Sequence, residues 1–121
     1  MKHQPEQVAR RFAQCYVGDV VMSAITYAEL QSAVAMSASP SRERANLASL
    51  VELIEVAPFG EDAAAAYGPI RYAARERSKG ALDELIAAHA VALGVPSVTN
   101  NVKDFESYPG VTVENWLDDD A

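Results

Sequence analysis

Three carboxylates in this sequence stand where an α/β fold can do chemistry. Glu29 lies in Ile25-Thr26-Tyr27-Ala28-Glu29-Leu30, just after the apolar run Val20-Val21-Met22. Asp83 opens the alanine-rich segment Asp83-Glu84-Leu85-Ile86-Ala87-Ala88-His89-Ala90. Asp104 belongs to Asn100-Asn101-Val102-Lys103-Asp104-Phe105, which continues the strand-like Pro96-Ser97-Val98-Thr99. Ligands and metals bind at the ends of strands in such sheets, because side chains from separate segments converge there. Carboxylate oxygens suit a hard divalent cation such as Mg2+, which takes one or two of them and completes its shell with water and substrate phosphate. Taken singly, the acids have structural explanations: Thr26 and Glu29 are spaced as a capping box, Asp83 complements a helix N-terminus, and Asp104 reads as a loop acid. One carboxylate after each of three strand regions is more than capping requires, and the three together predict a site.

The elements that must position these acids alternate along the chain. Pro5 suits the first turn of a helix carrying Val8, Phe12, Cys15 and Tyr16 and ending near Gly18. Val20 to Met22 reads as a short strand, Thr26 as the cap of a helix from Tyr27 to Met36, and Ser37-Ala38-Ser39-Pro40 as a break. A helix from Ser41 places Leu47, Leu50, Val51 and Ile54 on one side, and a strand from Glu55 to Phe59 follows. The spacing then predicts a helix from about Asp62 to Ser78, a loop at Lys79-Gly80-Ala81, a helix from Leu82 to Leu93 stopped by Gly94, and a strand from Val95 to Thr99. Pro109-Gly110 is a turn before a last strand, Val111-Thr112-Val113. Helices separated by short apolar strands imply an α/β fold with a parallel sheet.

With 121 residues the chain is read as a single domain over 1–117 with an acidic tail at 118–121. The net charge of −7 argues against a protein that coats nucleic acid. It leaves room for a nuclease, whose carboxylates are offset by bound cations. Arg71, Arg75, Arg77 and Lys79 gather just ahead of Asp83. A solvated helix face is the favoured reading of these cations, with a phosphate-contacting patch as its competitor. Cys15 is the only cysteine, so it forms no internal disulfide and is expected to act as a small buried hydrophobe. No apolar run is long enough to span a bilayer and the N-terminus carries no secretory pattern, so a soluble cytoplasmic protein is expected. The lack of a glycine-rich phosphate loop disfavours a nucleotide-binding regulator.

The segments Ser23 to Leu30, Leu82 to Ala90, Val98 to Phe105 and Val111 to Leu117, in this order and spacing, resemble the PIN-domain ribonucleases of the VapC toxin type, the toxic half of a type II toxin–antitoxin pair. The resemblance spans nearly the whole chain. It implies a PIN-like three-layer α/β/α fold with a mostly parallel sheet, dependence on Mg2+ or Mn2+, homodimers, inhibition by a VapB-type antitoxin, and cleavage of structured RNA, often transfer RNA. Carried over residue by residue, Glu29 and Asp83 match the family's acids and become the expected metal ligands. Asp104 is the candidate for the outlying acid of the catalytic set, and Asn100 and Asn101 are candidates to hold water or phosphate. His89 is read as a packed or surface histidine and not as a ligand.

One family feature is not found upstream of the helix at Pro5: a short apolar strand ending in Asp, whose carboxylate is a principal metal ligand. The expectation is therefore a PIN-like domain lacking its first strand, through either a start codon assigned too far downstream or a shortened gene. The first is favoured because everything after the gap reads as intact. Two functions follow: a Mg2+-dependent endoribonuclease toxin, or an impaired domain that only binds its antitoxin or another chain.

Overall fold

Ser23 turns the first strand into the first helix. Its backbone is extended, and its hydroxyl accepts the backbone N–H of Ile25 at 3.1 Å, which satisfies one of the donors that every helix start leaves open. The computed structural model describes residues 20–98 and 102–114. In chain order its elements are β1 (Val21–Ser23), α1 (Ala24–Met36), α2 (Pro40–Leu53), β2 (Glu55–Ala57), α3 (Glu61–Ala73), α4 (Ala81–Leu93), β3 (Ser97–Val98), α5 (Val102–Glu106) and β4 (Val113–Glu114).

Local chemistry accounts for most boundaries. Pro40 occupies the first turn of α2, where its missing N–H costs nothing. Glu61 and Asp62 open α3 with the charge that a helix N-terminus favours. Gly94 ends α4 in the left-handed conformation (φ 70°), with its own N–H on the Val91 carbonyl and the Val95 N–H reaching back to Ala90, both at 3.1 Å. This pair of bonds is a Schellman closure, and glycine supplies the positive φ without strain.

Among the described residues the strands pair in parallel. β1 lies on β2 in the register Val21↔Glu55, Met22↔Val56 and Ser23↔Ala57, and β3 lies on β4 with Ser97↔Val113 and Val98↔Glu114. Among the described residues these are two separate two-stranded ladders. α4 touches both β1 and β3 and packs most extensively on α3. The main core forms where α3, α4 and the α5 region meet: Ile70, Ala74, Ala87, Ala88, Phe105 and Tyr108 are all buried. Alanines on the inner face of α4 let the two helices approach closely, and Phe105 and Tyr108 fill the remaining space edge to face, with ring centroids 5.5 Å apart. Met22, Val34, Leu47, Ile54 and Ala57 are buried around the β1–β2 ladder.

The structure revises several expected boundaries. α1 begins at Ala24 under a Ser23 cap, so Thr26 lies within the helix and the Thr26–Glu29 capping box is not formed. α3 ends at Ala73, short of Ser78, with Ala74 as its cap, the Ala74 N–H reaching the Ile70 and Tyr72 carbonyls. Asp104 belongs to the short helix α5 and not to a loop. β3 begins at Ser97 and β4 at Val113, each two residues later than the apolar runs that suggested them. The expected Pro5 helix with Cys15, the segment Thr99-Asn100-Asn101 and the acidic tail lie outside the described residues.

Candidate active site

Asp83 and Glu84 are neighbours in the first turn of α4, and adjacent helix positions face different ways. Glu84 turns inward and is 1% exposed. Arg71 from α3 meets it there, Nη1 donating to Oε1 at 3.2 Å and to Oε2 at 3.3 Å while also reaching the Ala74 carbonyl at 3.0 Å. A buried carboxylate requires such a partner, so this acid is a structural brace between helices. Asp83 turns the other way, into a cavity of about 380 Å3 that Asp104 also lines, with Tyr108 and the loop from Arg77 to Gly80 completing its wall.

Glu29 approaches from α1. Its carboxyl is half-buried, and burial, with the negative charge of Asp83 as a second cause, raises its pKa above the usual carboxylate value. The negative charge of Asp83 therefore reaches Glu29. Tyr108 stands at the wall of the cavity. Burial raises the pKa of its phenol most, Arg77 opposes the shift, and the charges of Glu84, Asp83 and Asp104 add to it, so the phenol stays protonated. Glu29 is not among the residues that line the cavity shared by Asp83 and Asp104. Among the described residues no three His, Cys, Asp or Glu side chains are grouped closely enough to hold a metal ion by themselves. The Glu29–Asp83 pair offers hard oxygen donors whose mutual repulsion a divalent cation would relieve, and such an ion accepts one or two carboxylates when water and phosphate supply the rest.

A second contact joins the acid-bearing helices. His89 of α4 is 2% exposed, and its Nδ1 lies 2.7 Å from the Ser23 hydroxyl. The same hydroxyl oxygen accepts the Ile25 N–H, so one serine joins the start of α1 to the imidazole. Nε2 makes no well-formed hydrogen bond. Burial pulls the pKa of the imidazole below its usual value, with the Pro58 backbone carbonyl partly opposing, and the Phe59 ring meets it edge to face at 5.3 Å. His89 is therefore a neutral strut from the start of α1 to the middle of α4. This agrees with its reading as a packed histidine.

Several residues of the site's frame were not legible beforehand. Ser23 carries a recognisable N-cap side chain, but Thr26 competed for the same role. Arg71 was indistinguishable from Arg75, Arg77 and Lys79 in sequence, because only tertiary contact separates them. Nothing in the local sequence announces Tyr108. Asn100 and Asn101 lie outside the described residues.

Residues 2–111 match the PIN domain family. The chain is 33% identical over 118 residues to the tRNA(fMet)-specific endonuclease VapC of Salmonella typhimurium, covering 96% of this chain and 89% of that protein. It is 32% identical over 99 residues to ribonuclease VapC2 of Rickettsia felis, covering 80% of this chain and 74% of that protein. Its fold is similar to that in the crystal structure of DNA-bound VapBC from Salmonella typhimurium, with a TM-score of 0.84 at 33% identity, over 95% of this chain and 88% of that one.

Proposed function

Because this chain belongs to the PIN-domain family, we propose that it is the toxin of a VapBC-type pair: a metal-dependent endoribonuclease acting on transfer RNA in the cytoplasm, working as a homodimer and held in check by a VapB-type antitoxin. The relatives named as VapC ribonucleases and the VapBC structural neighbours support the class of activity and of partner. The observation that carries the reading is the cavity that Asp83 of α4 and Asp104 of α5 share, and it is supported by the Asp83 charge that helps raise the pKa of Glu29.

Glu29 and Asp83 would hold Mg2+ or Mn2+. The ion, when bound, supplies Lewis-acid stabilisation of the charge that builds on the scissile phosphate. Asp104 is exposed at the rim of the cavity, where it can accept a proton-bearing contact from the attacking water and orient that water toward phosphorus. The water oxygen forms the new P–O bond as Asp104 takes its proton, the P–O bond to the sugar oxygen breaks, and that oxygen leaves as a hydroxyl by taking a proton from solvent. Tyr108 keeps its proton and supports Arg77, and the Ser23–His89 contact fixes how α1 presents Glu29 to α4.

The test is cleavage of a transfer RNA transcript with Mg2+ or Mn2+ and with a chelator. Wild-type protein is expected to cut only with metal, and Asp83→Asn to lose on the order of 100-fold or more, as removal of a stabilising group from such a site does. Equal cleavage by wild type and Asp83→Asn would remove Asp83 from the chemistry. Antitoxin binding with no cleavage at all would favour the binding-only alternative.

A further inference from the structure

The four cations ahead of Asp83 are close in sequence and separate in space. Arg71 is spent on buried Glu84. Arg75 lies over the Tyr72 ring, 4.1 Å from its centroid, and donates to the Tyr72 carbonyl at 2.8 Å. Neither lines the cavity of the acids, whereas Arg77 and Lys79 do, together with Asp83 and Asp104. Arg77 is held there: Nη2 donates to the Ser107 hydroxyl at 2.5 Å, Nη1 donates to the Tyr108 hydroxyl at 3.3 Å, and the guanidinium carbon stands 5.2 Å from the Tyr108 centroid. Ser107 in turn donates to the Asp104 carbonyl at 2.6 Å, which ties the cation to the helix that carries the acid.

We propose that Arg77 and Lys79 form a phosphate subsite that seats the RNA backbone beside Asp83 and Asp104. The inference deepens the ribonuclease reading and rests on it for the identity of the polyanion. A guanidinium has five N–H donors. Two are used in the bonds to Ser107 and Tyr108, and those bonds fix its plane, so others remain to meet phosphate oxygens with little ordering cost. Lys79 is exposed on the same loop and adds a mobile point charge. The need for such charge follows from the molecule as a whole. A chain of net charge −7 whose site gathers carboxylates repels RNA, and local cations must offset that repulsion where the substrate lies. Gly80, at φ +92°, lets the loop turn from Lys79 into α4, and a Cβ there would come within 3.8 Å of the Tyr108 hydroxyl.

The test is fluorescence anisotropy of a labelled transfer RNA transcript titrated with the full chain in metal-free buffer from 50 to 200 mM salt. The variants are Lys79→Gln, Lys79→Arg, Arg77→Gln and, as a comparison outside the cavity, Arg75→Gln. Lys79→Gln and Arg77→Gln are each expected to lower the slope of log affinity against log salt by about 0.7 to 0.9 and to weaken binding roughly fivefold at 0.1 M salt. Lys79→Arg is expected to restore the slope, and Arg75→Gln to match wild type. Because Arg77 also packs on Tyr108, the exposed Lys79 decides the matter. An unchanged slope in Lys79→Gln, an equal loss in Arg75→Gln, or no RNA binding by wild type overturns the subsite. Wild-type RNA binding with the expected slopes but without metal-dependent cleavage upholds the subsite and rejects the ribonuclease reading.

Discussion

His89 shows how one buried side chain can set a pH limit on a site it does not enter. It is 2% exposed, bonded to Ser23 through Nδ1, and its pKa is pulled below the ordinary histidine value of about 6.5 chiefly by burial. A histidine with a depressed pKa in the fold binds its proton more readily when unfolded. Its contribution to stability is therefore complete above about pH 6.5 and is lost as pH falls through that value toward the lowered one. Wild-type protein is expected to lose stability between pH 7.5 and 5.5 in urea titrations, and His89→Gln to lose clearly less over the same interval while starting lower. Equal pH dependence in both would show that protonation of His89 is not coupled to folding. Asp83 and Glu84 carry the complementary lesson: identical chemistry at neighbouring positions is divided between cavity and core by a rotation of about 100° along the helix.

At the scale of elements, the α3–α4 hairpin is the rigid unit on which Asp83 is mounted. Its buried brace is Arg71 on Glu84. Removing the arginine alone leaves a carboxylate without a partner in the core. Arg71→Met is expected to cost about 2–3 kcal/mol, below the ~3–5 of fully enclosed pairs because Arg71 is 40% exposed. The double variant Arg71→Met with Glu84→Leu is expected to recover most of that loss, since apolar groups of similar volume need no partner. Thermal denaturation of the single and double variants checks this, and a double variant no more stable than the single would mean that packing matters here more than charge. The Schellman closure at Gly94 and the Ser23 cap fix where α4 ends and where α1 begins. Of these, Gly94 was evident in advance, because a glycine after the last periodic apolar residue has few other roles. The cap was placed three residues late, at Thr26, because Ser23 and Thr26 offer the same chemistry and only the β1–β2 register shows where the strand stops.

For the molecule as a whole, α4 is the hub, touching α1, α3, α5, β1 and β3. Ala87 and Ala88 at its centre have no exposed surface. Among the described residues the ladders it supports span three residues and two residues, and Val21 and Val98 on them are 37% and 44% exposed. Local stability should follow this gradient. In hydrogen exchange followed by mass spectrometry, amides of Ala87 to Ala90 are expected to exchange most slowly and those of β1 and β3 considerably faster. Comparable protection of strands and hub would mean that the ladders are held by more than the pairing described above.

The sequence by itself determined the alternation of helices and short strands, the parallel pairing, the position of α4 and the three acids, because periodicity, turn residues and charge act over a few neighbouring residues. Tertiary structure alone decided which charged side chains share a space. It brought Glu29 within reach of the Asp83 charge, joined Asp83 and Asp104 in one cavity, drew Glu84 into the core against Arg71, and left Arg77 and Lys79 at the cavity wall. The reason is physical: the Coulomb and desolvation terms that sort these groups depend on distance and burial, and neither is defined until helices distant along the chain are packed.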